Sequence, residues 1–216
     1  MFNARWHLRR ERMIFYQLAM NTCLAAECTA TYSLAKYSSL EDNVRATTNG
    51  AATVHHNDIF SAQCLTIVSC VLVATIFGAD MFFLIFWPRR KYPRWYNITK
   101  QALAFIIMAA VAAATLFSTI VVASHSATIS GVDAATQQEL TEFYYRPPLL
   151  YRKWAVNIAY VVVLWVGLVC TVGATVVMFM AAKHEGNIGT GNKELVPIDE
   201  MHEKVEGRDA PLREIE

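Results

Sequence analysis

The sequence predicts an all-α integral membrane four-helix bundle with cytoplasmic termini. Of its 216 residues, 55% are hydrophobic and 17% charged, with a mean hydropathy of +0.28, a balance too apolar for an ordinary soluble domain. Apolar runs at 60–86, 101–123 and 154–182 each exceed the ~20 residues that cross a hydrocarbon core. A weaker fourth run lies at 13–35. A soluble single-domain enzyme, a disulfide-stapled secreted module and a nucleic-acid binder are excluded as leading readings.

The organisation that follows is a basic cytoplasmic N-terminus over residues 1–12, a membrane domain over 13–182 and a flexible acidic cytoplasmic tail over 183–216. Spans are placed at 13–35, 60–86, 98–123 and 154–182. Orientation comes from charge. Arg5, Arg9, Arg10 and Arg12 precede the first span, and Arg89, Arg90, Lys91, Arg94 and Lys100 fall between the second and third. The links at 36–59 and 124–153 carry net charges of −1 and 0. Basic short flanks stay in the cytoplasm, so both termini and the basic link are expected inside.

The first span, Met13 to Ala35, contains Gln17, Asn21 and Glu27. A cleaved signal peptide is the competing reading, with a basic region before it and small residues near its end. The polar interruptions and the length favour retention. Trp6, Phe15, Tyr16, Trp87, Tyr92, Trp95 and Tyr96 are expected as an inner aromatic belt, and Tyr32, Tyr37, Tyr144, Tyr145, Tyr151 and Trp154 as an outer one. Pro88 and Pro93 predict a tight turn over 88–97, and Pro147 and Pro148 stop any outer helix before the fourth span.

Small residues supply the expected helix-packing faces. Ala110, Ala114 and Ser118 stand four apart in the third span, and Gly167 with Thr171 and Cys170 with Ala174 repeat the spacing in the fourth. Packing within one bundle and association between copies both fit that pattern. The intramembrane polar candidates are Asn21, Glu27 and Asp80. By helix rise Glu27 lies about 21 Å from the inner boundary and Asp80 about 10 Å, so the two acids are expected apart. Asn21 and Thr175 are at the depth expected to serve Asp80, whereas Ser69, Cys70 and Gly167 lie nearer Glu27. A carboxylate at such depth is paired, protonated or wetted, so a structural contact competes with a conduit.

No catalytic, cofactor or metal site is predicted. His55, His56 and Asp58 share the first outer link without a second cluster to fix coordination, and read as a solvated loop. Cys23, Cys28, Cys64, Cys70 and Cys170 fall in the spans and show no paired-ligand spacing. Gly186, Gly189 and Gly191 lie in a polar tail without the lysine and strand-to-helix setting of a phosphate cradle. Asn97-Ile98-Thr99 has the letters of a glycosylation sequon on the expected inner side, out of reach of the modifying machinery. The tail, with nine acids and five bases, is expected to be solvated, with Leu195–Ile198 a candidate docking segment.

The four short-looped spans, the basic 89–94 turn and the alanine-rich segment Ala109–Ala114 resemble the MARVEL-like tetraspan membrane proteins, especially divergent fungal members. The resemblance covers roughly 8–182 and is carried by the arrangement of segments. It implies membrane-domain organisation, trafficking or oligomeric scaffolding without a catalytic apparatus. Claudin-like proteins fit less well, because the 36–59 link is short and holds neither tryptophan nor cysteine. The leading expectation is therefore a non-enzymatic membrane organiser whose partners are membrane lipids, further copies of itself or another membrane protein, and not nucleic acid. A small transporter or channel subunit using Asp80 or Glu27 is the alternative. Span length favours the plasma membrane over internal membranes, which remain compatible once helix tilt is allowed.

Overall fold

The computed structural model describes residues 8–86, 94–143 and 147–191. Its elements are α1 (Arg9–Thr47), β1 (Thr53–His55), α2 (Asn57–Phe86), α3 (Arg94–Ser124), β2 (Thr128–Ser130), α4 (Ala134–Phe143), a 3-10 turn (Tyr151–Lys153) and α5 (Ala155–Gly191). The four long helices run up, down, up and down. α1 packs against α2 and α5, and α3 closes the square by packing against the same two.

Among the described residues, three helices are long and apolar enough to cross a membrane: α2, α3 and α5. They turn large apolar side chains such as Val68, Phe105, Ile106, Leu116, Val169 and Val176 outward, as a lipid-facing surface requires. A multi-pass membrane protein follows from these three. α1 falls short of the same measure, because its polar residues dilute an otherwise apolar face.

What α1 has instead is a regular buried stripe. Positions 12, 16, 19, 23, 26, 30, 33, 37, 40 and 44 are buried, in alternating steps of four and three. This is the 3.5-residue period that keeps one seam facing its neighbours along the whole helix. Small residues fill the middle of the seam, Ala19, Cys23, Ala26, Ala30 and Ser33, so the neighbouring backbones approach closely. The facing residues are small as well. A Cβ on Gly167 would lie 3.2 Å from Cys23 Sγ, and one on Gly173 would lie 2.8 Å from the Phe15 ring.

The same stripe explains why α1 does not end at 35, as its apolar run suggests. Tyr37, Leu40 and Val44 continue the seam beyond the apolar run and bury themselves in a second core. The helix stops where Asn49 and Gly50 take positive φ. Beyond it the two outer links, expected as loops, fold onto each other as a cap. β1 and β2 pair antiparallel with Val54 opposite Ile129, and these two point inward while Thr53, His55, Thr128 and Ser130 point out. Gly131 follows at φ +90°, and a Cβ there would collide with the Ala51 carbonyl.

Other boundaries shift. α3 starts at Arg94, immediately after Pro93, so 94–97 are helical and not part of the turn. α5 runs on to Gly191, nine residues past the expected end at 182, and takes the start of the tail with it, including Gly186 and Gly189. The aromatic belt is corrected more sharply: Tyr16, Tyr37 and Tyr151 are fully buried and Trp154 nearly so, while Tyr32 and Trp95 are exposed. Trp6, Trp87, Tyr92, Tyr144 and Tyr145, the core of the basic link and the tail from 192, with its 195–198 segment, lie outside the described residues.

Candidate functional site

The charged and amide side chains inside the bundle lie toward its two ends, and hydroxyls are spread between them. At the end formed by the start of α1, the end of α2 and the start of α3, Asp80 is the centre. Its Oδ2 accepts hydrogen bonds from Tyr16 Oη at 2.8 Å and Arg12 Nη2 at 3.0 Å, and its Oδ1 accepts one from Lys100 Nζ at 2.8 Å. One carboxylate thus ties α1, α2 and α3 together. Arg12 and Tyr16 stand four apart on the seam of α1, which aims both at the same point. The side chains of Arg12, Asp80 and Lys100 are 5%, 7% and 14% exposed, so the charges sit in a low-dielectric setting where each depends on its partner. Arg9 adds a hydrogen bond from Nη2 to the Leu84 carbonyl at 3.3 Å, closing α1 onto the last turn of α2.

Asp80 is therefore ion-paired and hydrogen-bonded, and not to the neighbours expected at its depth. Asn21 is exposed and accepts from Gln17 Nε2 at 2.9 Å, and Thr175 Oγ1 donates to the Thr171 carbonyl at 2.8 Å. Glu27 stays apart from Asp80 and is half-buried, without a hydrogen bond or ion pair among the described residues. Arg12 and Lys100 went unseen as site residues because cations flanking a span read first as orientation signals.

At the opposite end, Ser33, Gln63 and Asn157 join α1, α2 and α5. Gln63 Nε2 donates to Ser33 Oγ at 2.6 Å, Ser33 Oγ donates to Asn157 Oδ1 at 2.6 Å, and Asn157 Nδ2 donates to Tyr37 Oη at 3.1 Å and the Tyr151 carbonyl at 3.2 Å. Gln63 Oε1 is buried with no partner of its own. The chain of contacts reaches the surface through Tyr151 Oη, which donates to Asp58 Oδ1 at 3.0 Å, and through His125 Nδ1, 2.7 Å from Asp58 Oδ2. Burial, reinforced by the Asp58 carboxylate, raises the Tyr151 phenol above its ordinary pKa.

His55 and His56 are not one solvated pair. His55 is exposed, with Nε2 2.9 Å from Ser130 Oγ across the ribbon, whereas His56 is buried beside Tyr37, with Nε2 3.8 Å from Glu41. Alternation along the strand separates them. No group of three metal-ligating side chains occurs among the described residues.

Between the ends, two contacts join helices: Thr66 Oγ1 lies 3.1 Å from Ser118 Oγ, and Cys23 Sγ 3.9 Å from Thr171 Oγ1. Ala114, Ser118, Gly167, Thr171 and Ala174 are buried inside the bundle, with Ala110 and Cys170 half-buried. The five cysteines are free thiols. Chemically, the arrangement gives each end of the bundle its own hydrogen-bonded clamp.

Comparison with known proteins finds no matching family, no curated relative and no solved structure with a similar fold.

Proposed function

We propose that this chain is a non-enzymatic integral membrane protein that organises membrane domains, trafficking or protein assembly. In this reading α1 is the fourth crossing, and the end of the bundle holding Asp80 faces the cytoplasm. The β-ribbon cap then stands on the other side. The plasma membrane is the favoured location, and the likeness to MARVEL-like tetraspan proteins is the comparison that the reading follows.

The observation that carries this proposal is how the buried polar groups are used. Asp80 is held by Tyr16, Arg12 and Lys100 at one end and Asn157 by Ser33, Tyr37 and Tyr151 at the other, and each set joins three elements. Groups spent on joining helices favour a static scaffold over a wetted path. The outward surface of α2, α3 and α5 is apolar and free to meet lipids or other helices.

The test combines copy number with flux. Native mass spectrometry of the full chain in a mild membrane mimic should show a defined multimer, and proteoliposomes carrying it should leak protons and ions no faster than empty vesicles. Flux above that background would overturn the organiser in favour of a transporter.

A further inference from the structure

We infer that the seam between α3 and α5 at the cap end is a phospholipid site, with an acyl chain in the groove and the phosphate on Arg152. The inference rests on the membrane reading above. The groove has a volume of about 240 Å³ and is lined by Thr119, Val122, Ala123, Arg152, Ile158 and Val162, with only apolar atoms facing it. Its one hydroxyl is already satisfied: Thr119 Oγ1 donates to the Thr115 carbonyl at 2.7 Å and accepts from Trp165 Nε1 at 3.1 Å. The wall therefore asks nothing of an occupant except apolar contact.

The charge beside it asks for the opposite. Arg152 is exposed and makes no hydrogen bond or ion pair among the described residues. Asp58, the acid that accepts from the neighbouring Tyr151, is also bonded to His125. The position of Arg152 is fixed by its flanks, since Tyr151 and Trp154 are both buried in the cap core. Lys153 beside it adds a second exposed cation. An apolar slot beside an exposed guanidinium that has no ion pair among the described residues complements a diacyl phosphodiester, because a guanidinium pairs with phosphate oxygens in two parallel bonds. A headgroup with net negative charge gains further from Lys153.

The test titrates palmitoyl-oleoyl phosphatidylglycerol, and separately diacylglycerol with the same chains, into the delipidated full chain in detergent, counting bound lipid by native mass spectrometry. One phosphatidylglycerol is expected to bind saturably. Arg152→Gln should raise its Kd about fivefold, the size expected for one cation near a membrane surface. Ala123→Phe, which fills the groove at unchanged charge, should remove the site, and diacylglycerol should bind the parent no better than phosphatidylglycerol binds Arg152→Gln. Arg45→Gln removes an exposed charge from the same end of the molecule and should change nothing. The site is refuted if Arg152→Gln matches the parent, if Arg45→Gln weakens binding as much, or if diacylglycerol binds as tightly as phosphatidylglycerol. A chain that stays monodisperse without detergent would instead overturn the membrane reading, and the site with it.

Discussion

Replacing Asp80 by Asn keeps the shape of the side chain and one acceptor but removes the charge that Arg12 and Lys100 share. Both cations are then left in a setting where Arg12 is 5% exposed and Lys100 14%. Removing one partner of a buried ion pair costs about 3–5 kcal/mol, and Asn, which still accepts from Tyr16, should fall near the lower figure, about 3 kcal/mol. The measurement is equilibrium unfolding in mixed micelles as dodecyl sulfate replaces a mild detergent, followed by far-UV circular dichroism. Lys100→Met in the Asp80→Asn background completes a double-mutant cycle, and the 2.8 Å contact predicts a coupling of about 1–3 kcal/mol. A loss below about 1 kcal/mol for Asp80→Asn, or strict additivity with Lys100→Met, would show that the carboxylate is not the joint between α2 and α3. The outcome also bears on flux assays, because a variant that loosens the bundle can lose transport without lining a path.

Three further substitutions probe other joints. Gly173→Leu should push α1 off α5 through Phe15, costing about 1–3 kcal/mol in the same unfolding assay, and Phe15→Ala in the same chain should recover part of the loss. Asn157→Leu leaves Ser33 and Tyr37 without their shared partner and should cost about 1–3 kcal/mol, whereas Asn21→Leu, at an exposed position, should be close to neutral. Gly131→Ala places a side chain at φ +90° against the Ala51 carbonyl. It should speed hydrogen exchange at the β1 and β2 amides while leaving exchange in α2 and α5 unchanged.

The three apolar helices were legible because hydropathy over a bilayer-length window needs no knowledge of the partner. α1 was harder. Its seam is made of Ala, Ser and Cys as much as of large apolar residues, so the 3.5-residue period shows only once burial is known. The cap was not read at all, since each of its strands has three residues and depends on a partner more than 70 positions away. The acid at 80 stood out as an anomaly, yet the bonds to Arg12 and Lys100 cross 68 and 20 residues of chain. What identified neither cation was their double meaning: the same residues that orient a span also pin it. Tyr37, Tyr151 and Trp154 misled in the same way, because an amphipathic ring suits both a headgroup belt and a buried core with one polar contact.

The seam of α1 has a consequence for biogenesis. α1 precedes its partners in the chain, and it is the long helix least suited to entering a bilayer on its own hydropathy. Gln17 and Asn21 bond each other on its exposed face, which would lower the cost of that face if it met lipid, without removing it. If α1 is the fourth crossing, it waits at the translocon as a marginal segment until α2 and α5 are made and offer it the small-residue surfaces around Gly78, Gly167 and Gly173. Insertion and folding of this helix are then one event, and a chain truncated before α5 should expose α1 to the quality-control machinery even though every residue of α1 is intact.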